Sequence, residues 1–302
     1  MIALIGATGF TGRRIIRELT EVRQGEELVA IVRPSSDRAL VDRGLSVRVA
    51  DLSDTARLRS ALTGARIVVY AASLGFGNAL TAIAAIEQTG PERALFFSST
   101  AIFTQLSAAS KTDRLAGEEL ILKSTLAYTI FRPTMIYGRP GDRNIERLLR
   151  LVARAPVFPV IGPGTGLQQP VHVDDLARAV RLALETPDTV GRSYNLAGPT
   201  AMTFTAMVRA AMIAVGRERP MVHLPSGAVA TAARIWAHTS IWPHLKPEQV
   251  ARIEEDKGFD PQPAVDEFGF VTRDFSLGVA EEAQLLGLRP PSALTAAADP
   301  GD

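Results

Sequence analysis

The chain contains no cysteine among its 302 residues. That absence excludes disulfide frameworks, thiolate nucleophiles and cysteine-ligated metal centres together. Histidine is nearly as scarce. His172, His223, His238 and His244 are dispersed and share no ligand spacing with paired carboxylates, so no metal site is expected. Lysine is limited to Lys111, Lys123, Lys246 and Lys257, which leaves arginine to carry nearly all the positive charge. The formal net charge is only +1, and no basic block or aromatic-interleaved basic stripe occurs, which argues against nucleic acid as a partner. No apolar run is long enough to span a bilayer. The greasiest stretch, residues 224–245 with Trp236 and Trp242, is broken by Pro225, Gly227, Arg234 and Pro243. It reads as an amphipathic cover over a substrate cleft, with contact to a membrane surface or a lipid-linked substrate as the alternative. Met1 leads straight into an apolar segment without a charged leader, so a cytoplasmic protein is expected. No Gly-x-Ser-x-Gly elbow points to a hydrolase.

What is present begins at the first residues. Ile2 to Ile5 form an apolar strand that runs into Gly6-Ala-Thr8-Gly9-Phe10-Thr11-Gly12, and a helical pattern opens inside that loop. Each glycine has a separate task in a pyrophosphate cradle. Gly6 permits the tight turn, Gly9 keeps side-chain atoms away from the phosphates, and Gly12 lets the helix pack close to the sheet. The helix N-terminus then offers N–H groups and a positive dipole end to the anion. Three glycines alone are weak evidence; their position between strand and helix makes dinucleotide binding the expected function.

The same alternation continues through the first half. Short apolar segments (Leu28–Val32, Val47–Ala50, Ile67–Ala71, Leu95–Ser98, Tyr128–Phe131) are separated by helical patterns at Thr11–Val22, Thr55–Leu62, Ala79–Glu87 and Arg114–Leu122. Strands apolar at consecutive positions are covered on both faces, which predicts an α/β, Rossmann-type doubly wound parallel sheet. After Arg132 proline and glycine become frequent. A smaller C-terminal substrate lobe is expected over residues 133–289, following a dinucleotide-binding core at 1–132. Segments such as Ser193–Leu196 return to the core, and residues 290–302 form a frayed tail.

These motifs, in order, resemble the short-chain dehydrogenase/reductase superfamily, in its extended and atypical epimerase/dehydratase-like branch. The resemblance covers residues 1 to 286. It rests on the glycine loop, Asp51-Leu52, Ala71-Ala72, Phe97-Ser98-Ser99-Thr100, Arg132-Pro133-Thr134-Met135-Ile136-Tyr137-Gly138, and Gln169-Pro-Val-His172-Val-Asp174-Asp175. It implies a nicotinamide cofactor. Arg33, at the end of the second strand, suits the 2′-phosphate of NADP better than the free 2′-hydroxyl of NAD, with Arg38 as a second donor. The resemblance also implies that Asp51 accepts from the adenine amino group while Leu52 packs on the ring; the competing reading is a helix N-cap region with Asp54. Ala71, Ala72 and Ser73 would wall the cofactor, together with Ser98. Pro133, Thr134, Met135, Ile136 and Tyr137 would flank the nicotinamide half. His172 and Asp174 are read as structural, Asp174 as an N-cap or hinge residue.

The catalytic segment departs from the family pattern. Members of this superfamily carry Tyr-x-x-x-Lys here, yet no tyrosine occurs between Tyr70 and Tyr128. Aligning on Glu118 puts Ser110 at the tyrosine position and Arg114 at the lysine position. A serine hydroxyl does not replace a phenol as proton donor without strong help. The expected catalytic set is therefore Ser99 or Thr100 orienting a substrate oxygen, Arg114 holding the ribose, and Ser110 with Lys111 nearby, Lys111 being the candidate acid/base. The resulting expectation is an NADP-dependent oxidoreductase, epimerase or dehydratase acting on a nucleotide-linked or lipid-linked sugar or a similar carbonyl or hydroxyl substrate. The alternative is an inactive NAD(P)-binding sensor or scaffold protein. A homodimer is compatible with either.

Overall fold

The structure is a computed structural model and describes residues 1–23, 25–37, 45–106, 109–236 and 254–288. Arg38, Trp242 and residues 290–302 lie outside the described residues. So does the side chain of Trp236, the last residue of its helix. The chain forms two compact units, and the first comprises Met1–Thr134, Val173–Ala197 and Asp260–Thr272.

The first unit is built on a seven-stranded parallel sheet ordered β11-β6-β5-β4-β1-β2-β3. Its strands are β1 (Ile2–Ile5), β2 (Leu28–Val32), β3 (Ser46–Val49), β4 (Ile67–Tyr70), β5 (Arg93–Phe97), β6 (Tyr128–Pro133) and β11 (Arg192–Leu196). Every residue of β1, β2 and β4 is buried, as two-sided coverage requires. The edge strand β3 is half-exposed. Helix α1 (Phe10–Val22) turns Gly12, Ile15, Ile16 and Leu19 inward, a helical spacing. It packs on α6 (Val173–Glu185), and Arg181 Nε reaches Glu18 Oε1 at 2.9 Å. Because α6 starts at Val173, Asp174 sits in its first turn rather than at the cap, and its carboxylate lies 3.7 Å from Arg14. Asp54 does cap α2 (Thr55–Leu62), accepting from Arg57 N–H at 3.0 Å.

The sheet's two faces carry different cores. Tyr70, Phe96 and Ile130 join residues of α2, α3 (Ala79–Thr89) and α4 (Ala109–Lys123) on one side. Phe97, Phe131, Tyr194 and Phe268 form an aromatic set on the other, with ring centroids 5.5 Å apart for Phe97–Phe131 and 5.0 Å for Tyr194–Phe268.

The second unit lies within 135–172, 198–259 and 273–302. Its core gathers Leu149, Val152, Met207, Val208, Phe275 and Val279 from α5 (Ile145–Arg154), α7 (Phe204–Val215) and the helix Phe275–Leu285. Small ladders accompany them. β7 (Ile136–Tyr137) pairs with β10 (Val171–His172), β8 (Phe158–Ile161) with β13 (Met221–Leu224), and β9 (Leu167–Gln168) with β12 (Met202–Thr203). Among the described residues no helix is long and apolar enough to cross a membrane.

Candidate functional site

The glycine loop folds as its sequence requires. Gly6 adopts φ +83°, and a Cβ there would come within 2.8 Å of the Ala72 nitrogen. Gly9 N–H donates to Gly6 O at 2.9 Å, which closes the turn. A Cβ on Gly12 would collide with the Gly6 carbonyl oxygen. Helix α1 begins with no side-chain cap and no acidic residue in its first turn, so its leading N–H groups and dipole are presented to an anion. Gly12→Ala is expected to destabilise the fold by about 1–3 kcal/mol, the usual range for overpacking, and to abolish dinucleotide binding. Chemical denaturation and calorimetric titration check the two effects.

A cleft of about 370 Å³ opens above this loop. It is lined by Gly6, Thr8 and Gly9, by Ile31, Val32, Arg33 and Ser36 after β2, and by Ala50 and Leu52 after β3. Ala71, Ala72, Ser73, Phe76 and Asn78 after β4 complete it. The lining thus draws on the C-terminal ends of β1 to β4, where ligands of open parallel sheets bind. Its shape and chemistry fit a dinucleotide: glycine and alanine below, an uncapped helix start for phosphate, and an exposed Arg33 at the mouth.

Of the residues named from sequence, Gly6, Thr8, Gly9, Arg33, Leu52, Ala71, Ala72 and Ser73 line this cleft. Phe10 and Thr11 instead form the first turn of α1. Asp51 is exposed and closes a local turn, accepting from Ser53 N–H at 2.9 Å and Ser53 Oγ at 2.7 Å. Those two bonds, with Arg33 adding to them, hold its carboxyl below the usual carboxylate range. Ser36, Ala50, Phe76 and Asn78 were missing from the sequence reading. Phe76 and Asn78 follow the small-residue wall directly, so its position was the available signal.

The catalytic candidates are distributed more widely. Ser98 continues the β5 ladder through its N–H to Phe131 O at 2.7 Å, and its hydroxyl is buried with no partner among the described residues. Ser99 Oγ accepts from Ala101 N–H at 3.2 Å, and buried Thr100 Oγ1 donates to Pro133 O at 3.3 Å. On α4, Lys111 Nζ donates to Thr104 O at 2.6 Å. Arg114 donates to Ser110 O at 3.1 Å, and its guanidinium carbon would lie 3.0 Å from a Cβ on Gly75, at the back of the turn that presents Phe76. Arg114 thus approaches the loop that lines the cleft, whereas Lys111 is directed to the turn after β5. Further along the same helix, buried Glu118 takes a two-pronged ion pair from Arg132 of β6, 2.6 Å at its shortest. The Arg132 guanidinium also sits 5.6 Å over the Phe103 ring.

In the second unit Met135 and Ile136 are half-buried, while Tyr137 is enclosed. Its ring packs on His172 at 5.3 Å and Phe275 at 5.0 Å, and its hydroxyl meets the backbone at Gly278. A ring closed in this way packs the core of its unit rather than facing a ligand. The loop that follows is pinned by carboxylates. Asp142 Oδ1 accepts from the N–H groups of Asn144 and Ile145 at 2.7 and 2.8 Å, while Glu282 Oε2 accepts from Gly138 N–H at 3.0 Å. The other oxygen of each acid is buried without a conventional donor. Burial, and then Asp142 beside it, push the Glu282 carboxyl up to about 10 against the pull of the Gly138 N–H. The shift favours the neutral form of Glu282 beside the Asp142 side chain.

Comparison with known proteins agrees with this geometry. A family model described as NAD(P)H-binding matches residues 6–152. Ceramide reductase of Caulobacter vibrioides is 26% identical over 247 residues, 78% of this chain and 77% of that protein. An uncharacterized Mycobacterium tuberculosis protein is 32% identical over 238 residues, 74% of this chain, but the chain spans only 24% of that protein's length. The crystal structure of the NADPH-dependent quinone oxidoreductase of Escherichia coli complexed with NADPH gives a TM-score of 0.74 at 25% identity, covering 93% of this chain and 99% of that one. Sheet order, glycine cradle and matched model together define an NAD(P)H-binding protein of oxidoreductase or epimerase type. Residues 6–152 carry an NAD(P)H-binding domain, and the fold around it is similar to those of NAD(P)-dependent oxidoreductases and epimerases.

Proposed function

We propose that the protein is an NADPH-dependent reductase of a carbonyl borne on a lipophilic or sugar-linked substrate. The observation that carries the cofactor choice is Arg33, exposed at the mouth of the cleft on the strand end that faces the adenosine ribose in such folds. Support for a lipophilic carbonyl comes from the relatives, one named for ceramide and one for a quinone.

Reduction adds a hydride to the carbonyl carbon and a proton to its oxygen. Bound NADPH supplies the hydride. In this reading Thr100 or Ser99 orients the oxygen, Arg114 holds the ribose, and the Lys111 ammonium delivers the proton and regains one from water. Ser110 stands where the family's phenol would be and is too poor an acid for that task.

NADPH oxidation measured with a soluble quinone, a long-chain keto-lipid and a nucleotide 4-keto-sugar tests the proposal. Lys111→Ala is expected to lower kcat by 10²–10⁴-fold, the usual contribution of a positioned acid, and Thr100→Ala should lower it less. Turnover untouched by both substitutions would refute these roles. NADPH binding without turnover on any of the three favours the sensor or scaffold reading, to which the missing phenol already lends weight.

A further inference from the structure

We propose that Phe76 closes over the adenosine end of the bound cofactor and, with Leu52, forms the apolar bed of the base. This rests on the NADP reading above and names a residue that the family's motifs do not supply. Phe76 is 75% exposed and lines the cleft. It is the only aromatic side chain among the lining residues, whose other apolar members are aliphatic. A large ring left in water beside an apolar cleft stands to gain from any planar partner that enters, and adenine offers such a face.

The turn that carries Phe76 is fixed. Ser73 Oγ accepts from Gly75 N–H at 3.1 Å, the Arg114 guanidinium backs Gly75, and Gly77 ends the turn at φ +75°. The start of α3 is tied to the end of β3 by Thr81 Oγ1, which donates to Leu52 O at 2.7 Å and to Asn78 O at 3.0 Å. The Phe76 turn, Asn78 and Leu52 are therefore joined through one short network in the first unit. Arg33 and Ser36 line the same cleft and mark which half of the dinucleotide lies there.

The test measures dissociation constants by calorimetry for NADPH and for 2′,5′-ADP, which carries the adenosine half alone. Base stacking on an aromatic side chain corresponds to a five- to hundred-fold change on removal. Phe76→Ala is expected to weaken both ligands by the same factor within that range. Phe76→Trp should restore affinity, and its indole fluorescence should respond to 2′,5′-ADP. A loss confined to NADPH would place Phe76 beside the nicotinamide half and overturn the assignment. Unchanged affinity for both ligands would overturn it too. Wild-type protein that binds neither ligand would overturn the cofactor reading itself, so the two failures are distinguishable. Because the side chain is exposed, the melting temperature without ligand should stay the same in both variants, which separates loss of contact from loss of fold.

Discussion

Arg33→Ala is expected to abolish most of the preference for NADP over NAD, with NADP binding weakened by about 1.5–3 kcal/mol and NAD binding nearly unchanged. The guanidinium is a planar fork of donors with a permanent charge, suited to a dianionic 2′-phosphate, and Arg33 is an exposed lining residue of the cleft. Asp51 lies near enough for the two charges to be felt. With Arg33 gone, that carboxylate remains to disfavour the phosphate, which places the loss toward the upper end. Titration of both cofactors into wild type and variant checks this. Equal affinity for NADP and NAD in the unmutated protein would sink the idea.

The second large effect concerns Glu282. Burial and Asp142 raise the Glu282 carboxyl to about 10 in the folded protein, against the ordinary value of 4.5 expected of an unfolded chain. Stability contributed by this site is therefore complete at low pH and declines as pH rises between those values. Each pH unit costs up to about 1.4 kcal/mol, so wild type is expected to lose roughly 2–3 kcal/mol between pH 5 and 7 relative to Glu282→Gln. The amide keeps the shape of the neutral acid, accepts from Gly138 and donates to Asp142. The other titratable or charged groups around the pair are Glu146, which accepts from Gly141 N–H and is held by Arg150, and Tyr137 and His172, packed beside Gly138 and Gly278. Urea denaturation of both proteins from pH 5 to 9 reads the difference. A difference that stays flat with pH would show that folding does not raise the Glu282 carboxyl. Glu282→Ala, which strands the Gly138 N–H and the Asp142 oxygen, should destabilise at every pH by about 1–3 kcal/mol per group left unpaired.

The parallel sheet was legible because β1, β2 and β4 are apolar at every position, and Gly6, Gly9 and Gly12 mark the cradle by their spacing. The strand ends shifted by a residue or two where burial fades, as at β3. The two-residue ladders of the second unit carry no period for a pattern to reveal. Phe76 escaped because one exposed aromatic between two glycines reads as ordinary loop, and only its place on the lip gives it meaning. The Asp142–Glu282 pair escaped because its members stand far apart in sequence and nothing local marks either as buried. The helix expected from Arg114 begins five residues earlier, at Ala109, so Lys111 and Arg114 share it, yet they are three positions apart and reach different loops.

The ion pair between Glu118 and Arg132 has a consequence for how this family's chemistry can vary. Ser110, Arg114 and Glu118 are spaced four apart and form one stripe along α4. Glu118, at the inner end, clasps the sheet through a buried two-pronged contact, so the helix is anchored away from the positions proposed to react. The outer positions of the stripe are thereby released from holding the helix in place. A phenol can give way to a hydroxyl at 110, and an ammonium to a guanidinium at 114, while the scaffold beneath stays where it was. Anchoring and reactivity occupy the same stripe but separate residues, so the chemistry can be rewritten without rebuilding the frame.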